Sequence, residues 1–328
     1  MKLAVLGAGA WGTALSISLA PRHAVTLWAR DAAQAREMAA ARVNARYLPD
    51  FTIPAGVGVT SDLNIALDAC ELLLIATTTA GLRVLFKQLV AAGTQTPLVW
   101  LCKGFETESA QLPHQIAAAE LPAALACGTL SGPSFAQEVA RGLPTALTLA
   151  SGNPAFAQRV ARELHHDRLR IYSSDDIVGS EVAGAVKNVM AIASGICDGL
   201  GLGHNARAAL ITRGLAEITR LGLRLGGRLE TFMGLAGVGD LTLTCTGDLS
   251  RNRRVGLELA RGVGLAQVLH ELGHVAEGVY TARAVARRAR ELAIEMPITD
   301  AVCRVMNAQV SARDAALELL QREPRTEH

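Results

Sequence analysis

The sequence predicts an α/β protein with a doubly wound, parallel sheet in its N-terminal half and an all-helical domain in its C-terminal half. Three observations carry that expectation. Short apolar runs of strand length alternate with helical patterns as far as Tyr172. Beyond Tyr172 the strand patterns stop, and the periodic segments that follow all repeat with helical spacing. At 328 residues the chain also exceeds the length at which one hydrophobic core usually stops growing, so two domains are expected.

Taken in order, Lys2 to Leu6 reads as a buried strand, Trp11 to Ala20 as a helix and Val25 to Trp28 as a second strand, together one βαβ unit. Further strands are predicted at Leu72 to Ala76, Leu98 to Leu101, Ala124 to Leu130, Thr145 to Ala150 and Leu169 to Tyr172, with helices at Gly81 to Ala91, Ser109 to Glu120 and Pro154 to Leu164 between them. Parallel neighbours need crossover helices, which cover both faces of the sheet, so the first half is Rossmann-like. The polar stretch Ser173-Ser174-Asp175-Asp176 marks the division into domains 1–174 and 175–328 and offers a cap to the next helix. Helices are then predicted at Ile177 to Cys197, Arg207 to Leu225, Arg253 to Arg261, Leu265 to Leu272, Thr281 to Leu292, Ile298 to Asn307 and Ala312 to Gln321, before a polar tail from Arg322.

Half of the residues are hydrophobic but only 4% are aromatic, so the core must be built from aliphatic side chains. A formal net charge of +2 gives no reason to expect nucleic acid or an anionic membrane as partner. Six scattered cysteines without C-x-x-C or zinc-like His spacing imply no metal site and reduced thiols in a cytoplasm. The uncharged run after Lys2 has the look of a secretory signal, but Gly7, Gly9 and Gly12 would break the helix such a segment needs. No other stretch is read as long and apolar enough to span a bilayer.

Those three glycines sit in Gly7-Ala8-Gly9-Ala10-Trp11-Gly12, a G-x-G-x-x-G pattern. The pattern alone is weak; its position after a strand and at the opening of a helix is what backbone N–H groups need to hold a pyrophosphate. Gly7, Gly9, Ala10, Trp11 and Gly12 are therefore cofactor-binding candidates, and domain 1–174 is expected to bind a dinucleotide. At the end of the second strand stands Arg30, suited to the 2′-phosphate of NADP, followed by Asp31, suited to capping the next helix. NADP(H) is the expected cofactor, with NAD(H) as the alternative.

Only four of the 32 basic residues are lysines: Lys2, Lys87, Lys103 and Lys187. Guanidinium does not deprotonate and ammonium does, so a lysine kept in such a chain is a candidate for proton transfer. Lys187 lies in the small-residue segment Gly184-Ala185-Val186-Lys187-Asn188 of a helix that reads as buried. A lysine acting there as general acid/base must be brought down from about 10.4 toward neutrality by burial and neighbouring cations.

At this point the chain resembles the NAD(P)-dependent glycerol-3-phosphate dehydrogenase family, in its bacterial soluble form, over nearly its whole length. The resemblance rests on the glycine motif with Thr13-Ala14, on Lys103-Gly104, Ser131-Gly132-Pro133-Ser134-Phe135-Ala136, Gly184 through Asn188, Asn205-Ala206-Arg207 through Gly214-Leu215-Ala216-Glu217, Gly237-Val238-Gly239-Asp240-Leu241 and Ser250-Arg251-Asn252-Arg253-Arg254. Ser134 stands where threonine is also common, and both supply a hydroxyl. The resemblance implies interconversion of dihydroxyacetone phosphate and sn-glycerol 3-phosphate, with Lys187 as proton donor and acceptor, Lys103 beside it and Asp240 as the orienting carboxylate. It implies substrate contacts at Lys103, Gly132, Ser134, Lys187, Asn188, Asp240, Thr244, Ser250, Arg251 and Asn252. It implies cofactor contacts at Lys103, Ala136, Arg251, Val275 and Glu277, beside the glycine loop.

Independently of the resemblance, Ser250-Arg251-Asn252 opens a predicted helix, where an N-cap hydroxyl, free N–H groups and a guanidinium converge on a dianion. Arg253 and Arg254 fit a solvated basic face better, and His165-His166 reads as surface. Closure of the helical domain over the cofactor is expected, to exclude water from the hydride transfer. The family context implies supply of glycerol 3-phosphate for phospholipid synthesis, and the apolar helical half makes a homodimer plausible. Two other readings are a related two-domain hydroxyacid-type reductase and a non-catalytic dinucleotide sensor.

Overall fold

The computed structural model describes residues 1–272 and 276–322. The chain divides into two compact units, one of Met1–Lys103 with Gln111–Glu181 and one of Gly104–Ala110 with Val182–His328. The first unit holds ten strands: β1 (Lys2–Leu6), β2 (Ala24–Trp28), β3 (Val43–Asn44), β4 (Leu48–Thr52), β5 (Gly58–Thr60), β6 (Leu72–Ile75), β7 (Leu98–Trp100), β8 (Cys127–Ser131), β9 (Thr145–Ala150) and β10 (Leu169–Ser174). Eight of them form one sheet in the order β10-β9-β8-β7-β6-β1-β2-β5, and β3 and β4 form a separate antiparallel ribbon.

Successive residues of the central strands feed different cores, as a two-residue period requires. Leu3, Val5, Leu72, Leu74 and Val99 pack with Leu15 and Leu19 of the helix Ala10–Leu19 and with Phe156, Val160 and Leu164 of the helix Pro154–Leu164. Ala4, Leu6, Leu73, Ile75, Leu98 and Trp100 pack instead with Leu82, Leu85, Phe86 and Leu89 of the helix Thr79–Ala91 and with Ile116 of the helix Pro113–Glu120. The sheet is therefore doubly wound, and its strand order reverses at β1, flanked by β2 on one side and β6 on the other. Ligands bind at such a switch point, outside the carboxyl ends of the strands.

The sheet departs from the expected one in direction. The pairing of β8 with β9 is antiparallel, so β9 and β10 run against the other strands. Apolar periodicity carries no direction, which is why the sequence showed the strands and missed the reversal. The helix expected from Ser109 begins at Pro113, where proline occupies the first turn and its missing N–H costs nothing.

In the second unit, helices span Gly203–Arg224, Leu229–Phe232, Asp240–Thr246, Arg251–Ala260, Leu265–Leu272, Glu277–Glu291, Pro297–Met306 and Ala312–Leu320, with a π turn at Leu235–Gly239. The helix Ile177–Gly199 begins in the first unit, so the division falls inside it, beyond the polar stretch expected to separate the domains at 174/175. The cause is local: Ser173 and Ser174 extend β10, and the buried Glu181 side chain accepts hydrogen bonds from Trp100 Nε1 at 2.7 Å and the His114 backbone N–H at 3.0 Å, both first-unit groups. Asp176 does cap this helix, accepting from Gly179 N–H at 2.8 Å.

Ile177–Gly199 is also long and apolar enough to cross a membrane, a candidate the sequence reading passed over; 89% of its most apolar window is buried inside the protein. Close helix crossings there depend on glycine. A Cβ on Gly195 would stand 2.0 Å from the Arg253 carbonyl oxygen, and one on Gly256 would stand 2.0 Å from that of Ile192.

Candidate active site

The turn after β1 is shaped by backbone crowding. Gly7 has φ +126°, and a Cβ there would meet the Ala76 carbonyl oxygen at 2.6 Å; a Cβ on Gly12 would meet that of Gly7 at 2.0 Å. Gly9 is different: a Cβ there would meet nothing within 4 Å, so its bare face opens onto free space. Gly9 is also the N-cap of Ala10–Leu19 and offers no side chain to that helix end. The first-turn N–H groups of a helix have no intrahelical acceptor. Open backbone, free N–H groups and the positive end of the helix dipole together make a cradle that fits a pyrophosphate.

Neighbouring carboxyl-terminal strand ends carry the other first-unit candidates. Arg30 is exposed just beyond β2, while Asp31 accepts from Ala33 N–H at 2.8 Å and caps the helix Ala32–Ala41. Lys103 follows β7 and donates to the Gly132 carbonyl oxygen at 3.1 Å. Gly132 follows β8 with φ +132°, and its carbonyl also accepts from Ser134 Oγ at 3.0 Å. Ala136 opens the short helix Ala136–Ala140 from the same loop.

In the second unit, every residue from Val182 to Cys197 is buried, including Lys187 at 7% exposure. Its ammonium donates to Asp240 Oδ1 at 2.5 Å and to Thr244 Oγ1 at 2.9 Å. Asp240 and Thr244 lie one turn apart on Asp240–Thr246, 1% and 5% exposed, and the Thr244 hydroxyl donates to the Asp240 carbonyl at 2.6 Å. Asn188, next in the chain, accepts from Asn252 Nδ2 at 2.9 Å, while Asn252 Oδ1 takes the Gly278 N–H at 3.0 Å. The Asn252 side chain is thus turned into a buried relay that ties three helices together.

Ser250 caps Arg251–Ala260 by accepting from Arg253 N–H at 3.3 Å, and Arg251 at the first helical position is exposed. Arg253 does not belong to a solvated face. Its guanidinium bonds Asp198 at 2.8 Å and Asp248 at 2.9 Å, and Arg207 reaches the same Asp198 at 3.2 Å. Arg254 is exposed. Glu277 opens the helix Glu277–Glu291, and Val275 lies outside the described residues.

Comparison with known proteins gives this geometry a context. Residues 2–157 match the family described as NAD-dependent glycerol-3-phosphate dehydrogenase N-terminus, and residues 176–317 match its C-terminus. The glycerol-3-phosphate dehydrogenase (NAD(P)+) of Dechloromonas aromatica is 57% identical over 327 residues, covering 100% of this chain and 99% of that protein. The chain belongs to the NAD-dependent glycerol-3-phosphate dehydrogenase family. Its counterpart from Thiobacillus denitrificans is 58% identical, with both chains covered completely. The crystal structure of glycerol-3-phosphate dehydrogenase from Coxiella burnetii superposes with a TM-score of 0.94 at 42% identity, covering 98% of this chain and 99% of that one. D-mandelate dehydrogenase in complex with NADH, at 18% identity and a TM-score of 0.62, shares the fold, covering 94% of this chain and 98% of its own.

Some residues that shape this dehydrogenase carried no motif of their own. Asn44 is fully buried and donates to the Ala8 carbonyl at 3.0 Å and to Thr13 Oγ1 at 2.8 Å; Gln34 donates to the same Ala8 carbonyl at 3.0 Å. Two side chains from outside the motif thereby fix the glycine loop. Glu217, read only as the end of a motif, accepts from the N–H groups of Ile298 at 2.7 Å and Thr299 at 3.3 Å, and so caps Pro297–Met306 from another helix. Burial pushes its carboxyl up to about 7. The pair read as surface histidines also divides: His165 is exposed, while His166 is partly buried and sits 3.1 Å from Ser18 Oγ.

Proposed function

We propose that this chain interconverts dihydroxyacetone phosphate and sn-glycerol 3-phosphate with a nicotinamide dinucleotide, NADP(H) in preference to NAD(H). The observation that carries the reading is the buried Lys187, sealed in a helix and held by Asp240 and Thr244, in a chain of this family. Burying an ammonium costs several kcal/mol even when paired, an arrangement retained where it has chemistry to perform.

The dinucleotide, when bound at the glycine loop, supplies or accepts the hydride at C2 of the substrate. Lys187 Nζ gives a proton to the C2 oxygen during reduction and takes one back during oxidation. Asp240 and Thr244 keep the amine aimed and leave it few other rotamers, and Asp240 balances its charge. Lys103 is a second cation for polarising the C2 carbonyl. Asn188, Gly132 and Ser134 are the triose contacts in this reading, and Ser250, Arg251 and the N–H groups of Arg251–Ala260 take its phosphate.

Preference for NADP(H) rests on Arg30, an exposed guanidinium at the carboxyl end of β2, with Asp31 committed to its helix cap. Ala136, Val275 and Glu277 complete the cofactor contacts in this reading. The enzyme is placed in the cytoplasm as a homodimer without membrane or nucleic-acid partners, supplying glycerol 3-phosphate to phospholipid synthesis.

The test is to follow the near-ultraviolet absorbance of reduced nicotinamide when purified protein receives dihydroxyacetone phosphate with NADPH, and separately with NADH. Rapid oxidation is expected, faster with NADPH at limiting cofactor. Tight NADPH binding without turnover would replace the enzyme by a dinucleotide sensor, and turnover of a 2-oxoacid alone would replace the substrate.

A further inference from the structure

The second unit contains a cavity of about 340 Å³ that none of the catalytic, substrate or cofactor residues named above lines. Its walls are aliphatic, with Ala193, Ile196, Ala301, Val302, Val305 and Leu319 contributed by three helices. That volume lies within the range of small-molecule pockets, about 300–1,000 Å³. At roughly 30 Å³ per methylene-sized group it accommodates a chain of about ten carbons.

Arg213 and Arg220 line the same cavity and are both exposed. They stand seven residues apart on Gly203–Arg224, on one stripe of that helix and about 10 Å apart along its axis. Among the described residues neither guanidinium makes a hydrogen bond or an ion pair. The other lining charges are engaged: Glu295 pairs with Arg322 at 3.6 Å, and Glu217 takes the N–H groups of Ile298 and Thr299. An aliphatic chamber edged by the Arg213 and Arg220 guanidinium groups, the second acting also on the nearby Glu217 carboxyl, is complementary to an apolar chain with an anionic head.

We propose that this cavity is a second ligand site, separate from the catalytic residues, for a small anionic amphiphile. The chain of about ten carbons lies among the aliphatic walls and the carboxylate head is held by Arg213 and Arg220.

The experiment is isothermal titration calorimetry on the full-length protein with sodium decanoate, and with 1-decanol as the uncharged probe. Saturable decanoate binding at one site per chain is expected, with decanol at least about tenfold weaker. The double variant Arg213→Ala/Arg220→Ala should weaken decanoate at least about tenfold and leave decanol unchanged, and its surface positions keep the fold intact. Ala301→Phe should abolish both by filling the chamber. Dehydrogenase turnover should be unchanged in all variants, which keeps this test independent of the proposed reaction. Absence of saturable heat, or decanoate binding that survives both variants, would overturn the proposal. So would self-association of the wild type that is lost on Arg213→Ala/Arg220→Ala, which would make a second copy the occupant.

Discussion

At the end of β1, Gly7 and Gly12 keep their places because any side chain would collide with backbone, and Gly9 leaves a bare face open. In the helical unit a lysine, an aspartate and a threonine are instead sealed in contact, each at most 7% exposed. Both regions are organised before any ligand arrives, the first by missing side chains and the second by mutually neutralising ones. Damage should differ accordingly. The first region fails through steric conflict or lost affinity, and the second through lost chemistry and an uncompensated charge.

The largest effect is expected from Lys187→Met. Loss of a positioned acid/base should lower kcat by about a thousandfold or more. Removing one partner of a buried pair should also lower stability by about 3–5 kcal/mol, since the buried Asp240 carboxyl loses its ammonium partner. Fluorescence titration with NADPH should show nearly unchanged affinity; a lost cofactor site would mean that Lys187 serves the first region too. Next is a pair of alanine substitutions that splits the glycine loop. Gly12→Ala should cost about 3 kcal/mol or more in denaturant unfolding, because its Cβ meets the Gly7 carbonyl. Gly9→Ala should unfold like the wild type yet bind the dinucleotide about tenfold less tightly, the loss of roughly one charge-assisted hydrogen bond. Equal stability losses at the two positions would erase the distinction.

Glu217 offers a smaller, pH-dependent test on the helical side. Its carboxyl is raised from 4.5 to about 7 in the folded protein, so over that interval the folded state holds a proton that the unfolded chain has released. Stability from this group is full below 4.5 and declines as pH rises to about 7, by an amount on the order of 3 kcal/mol. Glu217→Gln keeps an acceptor for Ile298 and Thr299 without titrating. Its melting temperature relative to the wild type should therefore rise between pH 5 and pH 8, and a constant difference would remove Glu217 as the source.

Arg251→Ala should raise KM for dihydroxyacetone phosphate by about tenfold with a lesser change in kcat, as expected for an anchor of the phosphate. The smallest effect is expected for Arg30→Ala, a several-fold rise in KM for NADPH with NADH unaffected. A matching rise for NADH would leave the cofactor preference without its residue.

Legibility from sequence followed the range of the interactions. The first βαβ unit, the glycine turn and the Asp31, Asp176 and Ser250 caps were readable because each is decided within a few neighbouring residues. The strands between Val43 and Thr60 were missed; two of them have only two or three residues, and the third, Leu48–Thr52, is mostly exposed and carries no alternating apolar pattern. The short helix Asp240–Thr246 and the π turn before it were missed for the same reason, so Asp240 entered the site only through the family resemblance. Arg253 was read as solvated because its partner Asp198 lies 55 residues away.

By itself, then, the sequence determined the alternation of strands and helices, the glycine turn after the first strand and the singularity of Lys187 among the arginines, since composition and local backbone requirements suffice for these. Tertiary structure alone decided the reversal of β9 and β10, the clamp of Asn44 and Gln34 on Ala8 and the Glu217 cap. These depend on groups far apart in the chain, and a buried polar atom accepts whichever partner packing delivers to it.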